Sequence, residues 1–267
     1  MKFLHLFNEF ERGANGSTPQ LTTRREAFGQ IGRTVGKAAT VALPLAAFLK
    51  SNPIAAQSSG DSIVDVLNFA LTLEYLEAEY YAMGLDSDGL LTGDLRETIS
   101  LIGDHEAAHV EFLKSAISGA GGDPVDKPDF DFTAGGNFNN VFSNQTIFLA
   151  LAQAFEDTGV RAYKGQAANL MGNGAVLTAA LQIHSVEARH ASEIRRIRGS
   201  KGWITNAENT TGAGAADAVY MGEDNVMQLG FNVTTLTSVS RNHITEAWDE
   251  PLSKQAVLDI ASLFIAD

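Results

Sequence analysis

Apolar residues recur along this chain at steps of three and four, the period of a single buried helix face. The first run lies in LNFALTLEYLEAEYYAM, residues Leu67–Met83, where Leu67, Leu71, Glu74, Ala78 and Tyr81 share one stripe. Asp61 or Ser62 is placed to cap this helix, which the pattern carries to about Met83. A second helix, about Asp94 to Ser118, turns inward Ile99, Ile102, Glu106, His109, Leu113 and Ile117. A third, about Asn144 to Leu170, turns inward Leu149, Ala152, Glu156, Val160 and Tyr163. A fourth, about Ala175 to Arg198, turns inward Val176, Ala180, Ile183, Glu187, His190 and Ile194. Near the end, Ser253 caps a short fifth helix with Val257, Ile260, Ala261 and Phe264 on one face.

The connections set the topology. Gly84, Gly89 and Gly93 mark one short link, and Gly172 and Gly174 another. Residues 120–143 are rich in Gly, Pro, Asn, Asp and Phe and lack a helical period. A helix of about 25 residues is ~37 Å long, and roughly 20 extended residues cover that span. This link can therefore run back along the bundle, leaving the second and third helices parallel, with Phe130, Phe132, Phe138 and Phe142 covering apolar surface. The fold class is all-α: a four-helix bundle with one long crossover. Residues 199–245 read as an ordered, irregular segment pinned by Trp203, Tyr220, Met221 and Phe231. Arg195, Arg196 and Arg198 suit the negative end of the fourth helix.

Each inner stripe carries acid. A lone buried carboxylate is costly and needs a partner, a proton or a metal. The order is Glu74, then Glu106-Ala-Ala-His109, then Glu156, then Glu187-Ala-Arg-His190. One glutamate from each of two helices and a Glu-x-x-His from each of the others is the donor inventory of a di-iron or di-manganese carboxylate site. Oxygen and imidazole donors favour two Fe or Mn ions over Cu(I) or structural Zn. Glu77, on the neighbouring stripe Val66, Ala70, Leu73, Glu77, Tyr80, competes with Glu74 as the first-helix ligand, and Glu74 is preferred. Tyr81 and Tyr163, seven residues after the lone glutamates, read as hydrogen-bonding groups around the ligands. His184, one turn before Glu187, is read either with them or as a capping or surface residue. His105 and His243 read as surface or packing residues. The competing interpretation is a metal-free bundle whose acids and imidazoles form a hydrogen-bonded polar core.

Composition narrows the rest. The chain has 267 residues and no cysteine, which excludes disulfides, thiolate metal sites and a cysteine nucleophile. Residues 1–56 carry seven Lys/Arg and three Asp/Glu, whereas the remainder carries 12 basic and 29 acidic residues, a charge of −17. Such a body repels nucleic acid and anionic membranes. The Gly32–Ala38 stretch is short of a phosphate-binding loop, and no Gly-x-Ser-x-Gly is present. A basic start, a short apolar middle at Ala38–Leu49 and the small-residue end Ile54-Ala55-Ala56 make a signal peptide of residues 1–56. Its apolar part is too short to span a bilayer. Arg24-Arg25 followed by Phe28 resembles a twin-arginine signal, with one extra residue before the Phe. That implies export, to the periplasm, of an already folded protein, a route that leaves room for metal to be loaded beforehand.

The four-helix ligand order resembles the ferritin-like superfamily. Within it, LNFALTLEYLEAEYY and EAWDEPLSKQAVLDIA are similar to the desiccation-related ferritin-like group, often exported in bacteria. The resemblance spans about residues 60–267. It implies a bundle at 57–198, an extension at 199–267 packed on it, and Glu74, Glu106, His109, Glu156, Glu187 and His190 as metal ligands. It implies redox chemistry on oxygen or peroxide in oxidative or drying stress. The alternative is a non-catalytic metal-binding or structural envelope protein. A homo- or heterodimer with a related ferritin-like chain stays open. His105 and Val186 precede the two Glu-x-x-His units where ferritins and bacterioferritins often carry an acid, which argues against a tuned ferroxidase centre.

Overall fold

The computed structural model describes residues 61–266. The signal-peptide reading of residues 1–56 lies outside them. Four long helices form the body: α1 (Ile63–Asp86), α2 (Gly93–Gly119), α3 (Gln145–Gln166) and α4 (Gly174–Ile197). Their starts are set by side chains that accept from otherwise unpaired backbone N–H groups. Ser62 and Asp65 form a reciprocal capping box on α1. Asn144 accepts from Thr146 and Ile147, and Asn173 accepts from Val176. The third helix ends sooner than its pattern suggests, because Ala167–Leu170 tighten into a 3₁₀ turn.

At one end of the bundle Val66, Ala116, Leu170 and Val176 share a core cluster. These residues come from the start of α1, the end of α2, the turn after α3 and the start of α4. At the other end Ile99, Phe148 and Ile194 meet in a second cluster. Thus α2 and α3 run parallel, and residues 120–144 return along the bundle as expected. On the way Phe132 and Phe138 are buried, and Phe130 and Phe142 are packed against the core. Tyr80 of α1 organises this aromatic group. It stacks on Phe148 at 4.7 Å and lies 5.1 Å from Phe132 and 5.6 Å from Phe142. The crossover also pairs with the end of the chain, through Asp131 N–H to Phe264 O at 2.8 Å and Ala266 N–H to Asp129 O at 2.9 Å.

Every residue of α3 from Phe148 to Tyr163 is buried. The bundle covers one side of this helix and the C-terminal extension covers the other. The extension contains α5 (Asp217–Tyr220), a small antiparallel hairpin of β1 (Met227–Gln228) and β2 (Phe231–Asn232), α6 (Arg241–Thr245) and α7 (Lys254–Ala261). Ser253 caps α7, and Val257, Ile260, Ala261 and Phe264 are buried.

The aromatic pinning expected of the extension is largely corrected. Tyr220 is buried, but Trp203, Met221 and Phe231 are 47%, 68% and 62% exposed. Arginines hold the segment instead. The Arg161 guanidinium donates to the carbonyls of Val219, Met221 and Glu250 and pairs with Glu223 at 2.8 Å. Arg198 reaches the carbonyls of Thr210 and Thr211. Arg195 is fully buried and grips Asp157 through Nε at 3.0 Å and Nη2 at 2.5 Å, with the Tyr220 hydroxyl on the same carboxylate at 2.9 Å. Arg161 and Arg198 supply donors to backbone carbonyls of the extension, and Arg195 ties Tyr220 to α3 through the Asp157 carboxylate. No helix among the described residues is long and apolar enough to cross a membrane.

Candidate metal centre

The centre sits at mid-height, between the two apolar clusters. Helical periodicity places Glu106 and His109 on one face of α2, and Glu187 and His190 on one face of α4. Helices α1 and α3 contribute Glu74 and Glu156. All four glutamates are fully buried, and His190 is 5% exposed. Single donor atoms of Glu74, Glu106, His109 and Glu187 all lie within 4.8 Å of one another, and so do those of Glu106, Glu156, Glu187 and His190.

Two residues are common to both sets. Glu106 turns Oε2 to His109 Nδ1 at 2.9 Å and Oε1 to His190 Nδ1 at 2.7 Å. Glu187 turns Oε1 to His109 Nδ1 at 3.2 Å and Oε2 to His190 Nδ1 at 3.6 Å. Glu74 Oε2 stands 3.1 Å from His109, and Glu156 Oε2 stands 3.3 Å from His190. The result is two adjoining subsites that share two carboxylates, each with one glutamate and one imidazole of its own.

The tyrosines cross over. Tyr81 of α1 donates its hydroxyl to Glu156 of α3, and Tyr163 of α3 donates to Glu74 of α1. Burial first, and then the negative carboxylate beside each, holds both phenols well above their ordinary range, so they remain donors.

His105, read from the sequence as surface or packing, belongs to the centre. Its Nδ1 lies 2.9 Å from His190 Nε2, and the rings stack at 5.2 Å. When His190 donates Nε2–H to His105, its Nδ1 lone pair faces the carboxylates, the arrangement that orients a ligating imidazole. Burial first, then the neighbouring His190, lowers the pKa of His105, which suits an acceptor. His184 does not join the group; its Nδ1 meets the Val160 carbonyl at 3.0 Å. Glu77 is buried at 3% exposure but lies outside both subsites.

Without a cation the charges are hard to balance. Burial, then repulsion among the carboxylates, holds Glu74 well above the carboxylate range; burial does the same for Glu156, against the His190 contact. Burial pushes both imidazoles down, but the surrounding carboxylates outweigh it and raise His109 and His190 to about 12. Burial likewise raises Glu106, yet its two histidine contacts bring it down to about 2. Protons alone leave the geometry unsatisfied. Glu106 Oε1, Glu156 Oε2, both Glu187 oxygens and His190 Nδ1 are buried without a hydrogen-bond partner. One N–H points in one direction and cannot serve three oxygens. A cation takes several oxygen and nitrogen donors at once, so the residues present fit a metal group.

Residues 62–200 match the ferritin-like domain family, a stretch covering all four long helices and just over half of the 267-residue chain. No curated protein matches the chain. The match ends where α4 ends, so the arginine-held extension is an addition to the matched unit. The four acids and two imidazoles gather inside the matched helices, and the chain belongs to the ferritin-like family.

Proposed function

We propose that this protein holds two iron or manganese ions in a dinuclear carboxylate centre and uses them in redox chemistry on oxygen or peroxide. The supporting observation is the division of Glu106 and Glu187, each of which gives one oxygen to the His109 side and one to the His190 side. Glu74 and His109 complete one ligand set, and Glu156 and His190 complete the other. When bound, the ion pair supplies Lewis acidity and redox equivalents that this chain's side chains lack. The chain's own residues do the positioning. Tyr81 and Tyr163 fix the two unshared glutamates by hydrogen bonds, and His105 sets which nitrogen of His190 faces inward. The apolar clusters above and below keep bulk water from the carboxylates.

We further propose that the protein is exported. The basic leader with Arg24-Arg25, set against an acidic body, supports export through a twin-arginine-type signal at residues 1–56. The bundle at 57–198 and the extension at 199–267 then make the mature periplasmic protein. Placement in the desiccation-related group, with a role in stress protection, rests on the Leu67–Met83 stretch and the C-terminal EAWDEPLSKQAVLDIA.

Metal analysis of protein purified after native export tests the reading. Two Fe or Mn per chain are expected, with loss in Glu106→Ala and His190→Ala; natively exported protein that carries no metal overturns it. One observation favours a second reading, a metal-binding scaffold without turnover: the centre is closed, the side chain of His109 being its most exposed ligand at 13%. Oxygen or peroxide consumption by loaded protein separates the two.

A further inference from the structure

Trp203 does not pin the extension; it stands at the edge of a cavity. This cavity, of about 210 Å³, lies between α3, α4 and the C-terminal extension. Asp157 of α3 and Ser192 and Arg195 of α4 line its inner side, and Trp203, Ile204 and Asp249 of the extension line its outer side. Ala188, Ala191 and Arg195 each follow by one residue a member of the inner stripe, Glu187, His190 and Ile194, which turns them away from the bundle axis. None of the lining residues belongs to the donor sets of the metal centre. The family match ends at residue 200, so the outer wall is supplied by the added segment. The space equals that of about seven waters of liquid. It takes one six-membered ring with its substituents and falls below the ~300 Å³ of sites for larger ligands.

Two polar groups of the lining keep unused bonding capacity. Arg195 commits Nε and Nη2 to Asp157, while its Nη1 makes no hydrogen bond among the described residues, in a side chain only 2% exposed. The half-buried Ser192 hydroxyl likewise makes none among the described residues. The outer wall is shaped by a glycine. A Cβ at residue 202 would lie 2.5 Å from Ser192 Oγ and 2.8 Å from Arg196 Nε. The chain therefore passes flush against α4 and brings Trp203 to the rim. The Arg196 guanidinium, 6.0 Å from the indole centroid, holds that ring, which stays 47% exposed.

We propose that this cavity is a second binding site, separate from the metal centre, for a neutral polyhydroxylated ring, a monosaccharide or cyclic polyol. The charges of the site select the ligand. Asp157 already pairs with Arg195, and Arg161 with Glu223. An anion would meet the Asp249 carboxylate at the rim of a body that carries a charge of −17. Burial already holds the Asp157 carboxyl above its ordinary range against the pull of Arg195, so further negative charge is unwelcome there. A cation would leave the Arg195 Nη1 donors unmatched. A wholly apolar ligand would strip water from Nη1 and from the Ser192 hydroxyl and replace it with nothing. A ring of hydroxyls accepts from Arg195, donates to Asp249, and exchanges a hydrogen bond with Ser192. Its C–H face suits the indole of Trp203 and the apolar side chains of Val160 and Ile204.

Titration calorimetry of the full chain with D-glucose, D-glucuronate and protonated D-glucosamine tests the proposal, because the three share a ring and differ in charge. Saturable binding of glucose with a Kd of about 1 mM is expected, and binding of both charged rings about 10-fold weaker or less. Ser192→Ala and Trp203→Ala change half-buried or exposed positions, so both variants should fold. Each should weaken glucose binding by about 10-fold and leave the metal content of the protein unchanged. Wild-type protein that shows no saturable glucose binding overturns the inference. Glucuronate or glucosamine bound as tightly as glucose also overturns it, by assigning the cavity to an ion. Unchanged glucose affinity in either variant places the sugar elsewhere and has the same consequence. All three outcomes leave the dinuclear reading standing, since no residue of this cavity is one of its ligands.

Discussion

Glu106 and Glu187 differ from Glu74 and Glu156 in how many imidazoles they face, and that difference has a measurable consequence. Each shared acid faces both His109 and His190, whereas each unshared acid faces one. Glu187→Gln is therefore expected to abolish binding of both ions, while Glu156→Gln retains the ion on the Glu74–His109 side. Metal-to-protein ratios by mass spectrometry decide it, and equal losses in the two variants count against the shared-acid geometry. His105→Ala should leave the helices intact and weaken metal binding by about 10- to 100-fold through loss of the His190 tautomer. Titration of that variant checks it; unchanged affinity makes the His105 contact incidental. The six converging donors were legible in the sequence because each breaks an apolar stripe of fixed period. His105 was not, since it lies one residue, about a quarter turn, off that stripe. Only the packing of α2 against α4 brings it to the far nitrogen of His190. The same limit left His184 open between two readings, because its spacing from Glu187 says nothing of the Val160 carbonyl that it meets. Spacing also put each tyrosine on the same stripe as its own helix's glutamate, but the hydrogen bonds run between helices.

The elements divide into those governed by local pattern and those governed by partners. Period, caps and glycines were enough to place α1–α4 and α7 to within a few residues, and the length of residues 120–143 was enough to infer the parallel pair. The extension was not legible in the same way, because its backbone is satisfied by arginine side chains from distant helices. Arg161 illustrates the cost. Arg161→Ala strips donors from three carbonyls and leaves Glu223 buried beside no cation. Breaking a buried pair on one side typically costs about 3–5 kcal/mol, so the midpoint of urea unfolding should fall substantially, and a change under about 1 kcal/mol would show that the network is not structural. The hairpin offers the opposite change. Leu229 and Gly230 occupy its turn with φ of 50° and 83°, and Leu229 is 97% exposed. A left-handed backbone costs a branched side chain roughly 1 kcal/mol, which Asn largely avoids. Leu229→Asn is thus expected to stabilise slightly in the same urea experiment, since no packing is lost.

At the scale of the whole molecule, metal, protons and folding are linked. The metal-free fold raises the pKa of Glu74, Glu77 and Glu156 above the ordinary 4.5, and lifts His109 and His190 from 6.5 to about 12. Groups with raised values bind more protons folded than unfolded, so their contribution is complete below the unfolded pKa and is lost as pH rises. The three glutamates start this loss above pH 4.5, and the two imidazoles add to it above pH 6.5. Glu106, lowered to about 2, has the opposite sign, but its stabilisation is lost only as pH falls from 4.5 toward that value. The metal-free protein should therefore be most stable near the unfolded glutamate pKa and weaken steadily through neutrality. Each proton retained only by the folded state contributes about 1.4 kcal/mol per pH unit. Bound cations replace those protons, so loading releases protons and affinity rises with pH. Calorimetric melting of metal-free and metal-loaded protein at pH 5 and pH 8 separates these effects. The metal-free form should melt lower at pH 8 than at pH 5, and the gap between loaded and metal-free forms should widen across the same interval. A metal-free protein that is equally stable at both values would mean that the buried acids are neutralised by something other than protons. The linkage between an empty centre and a weakened fold would then be lost, although the converging geometry of the six donors would stand.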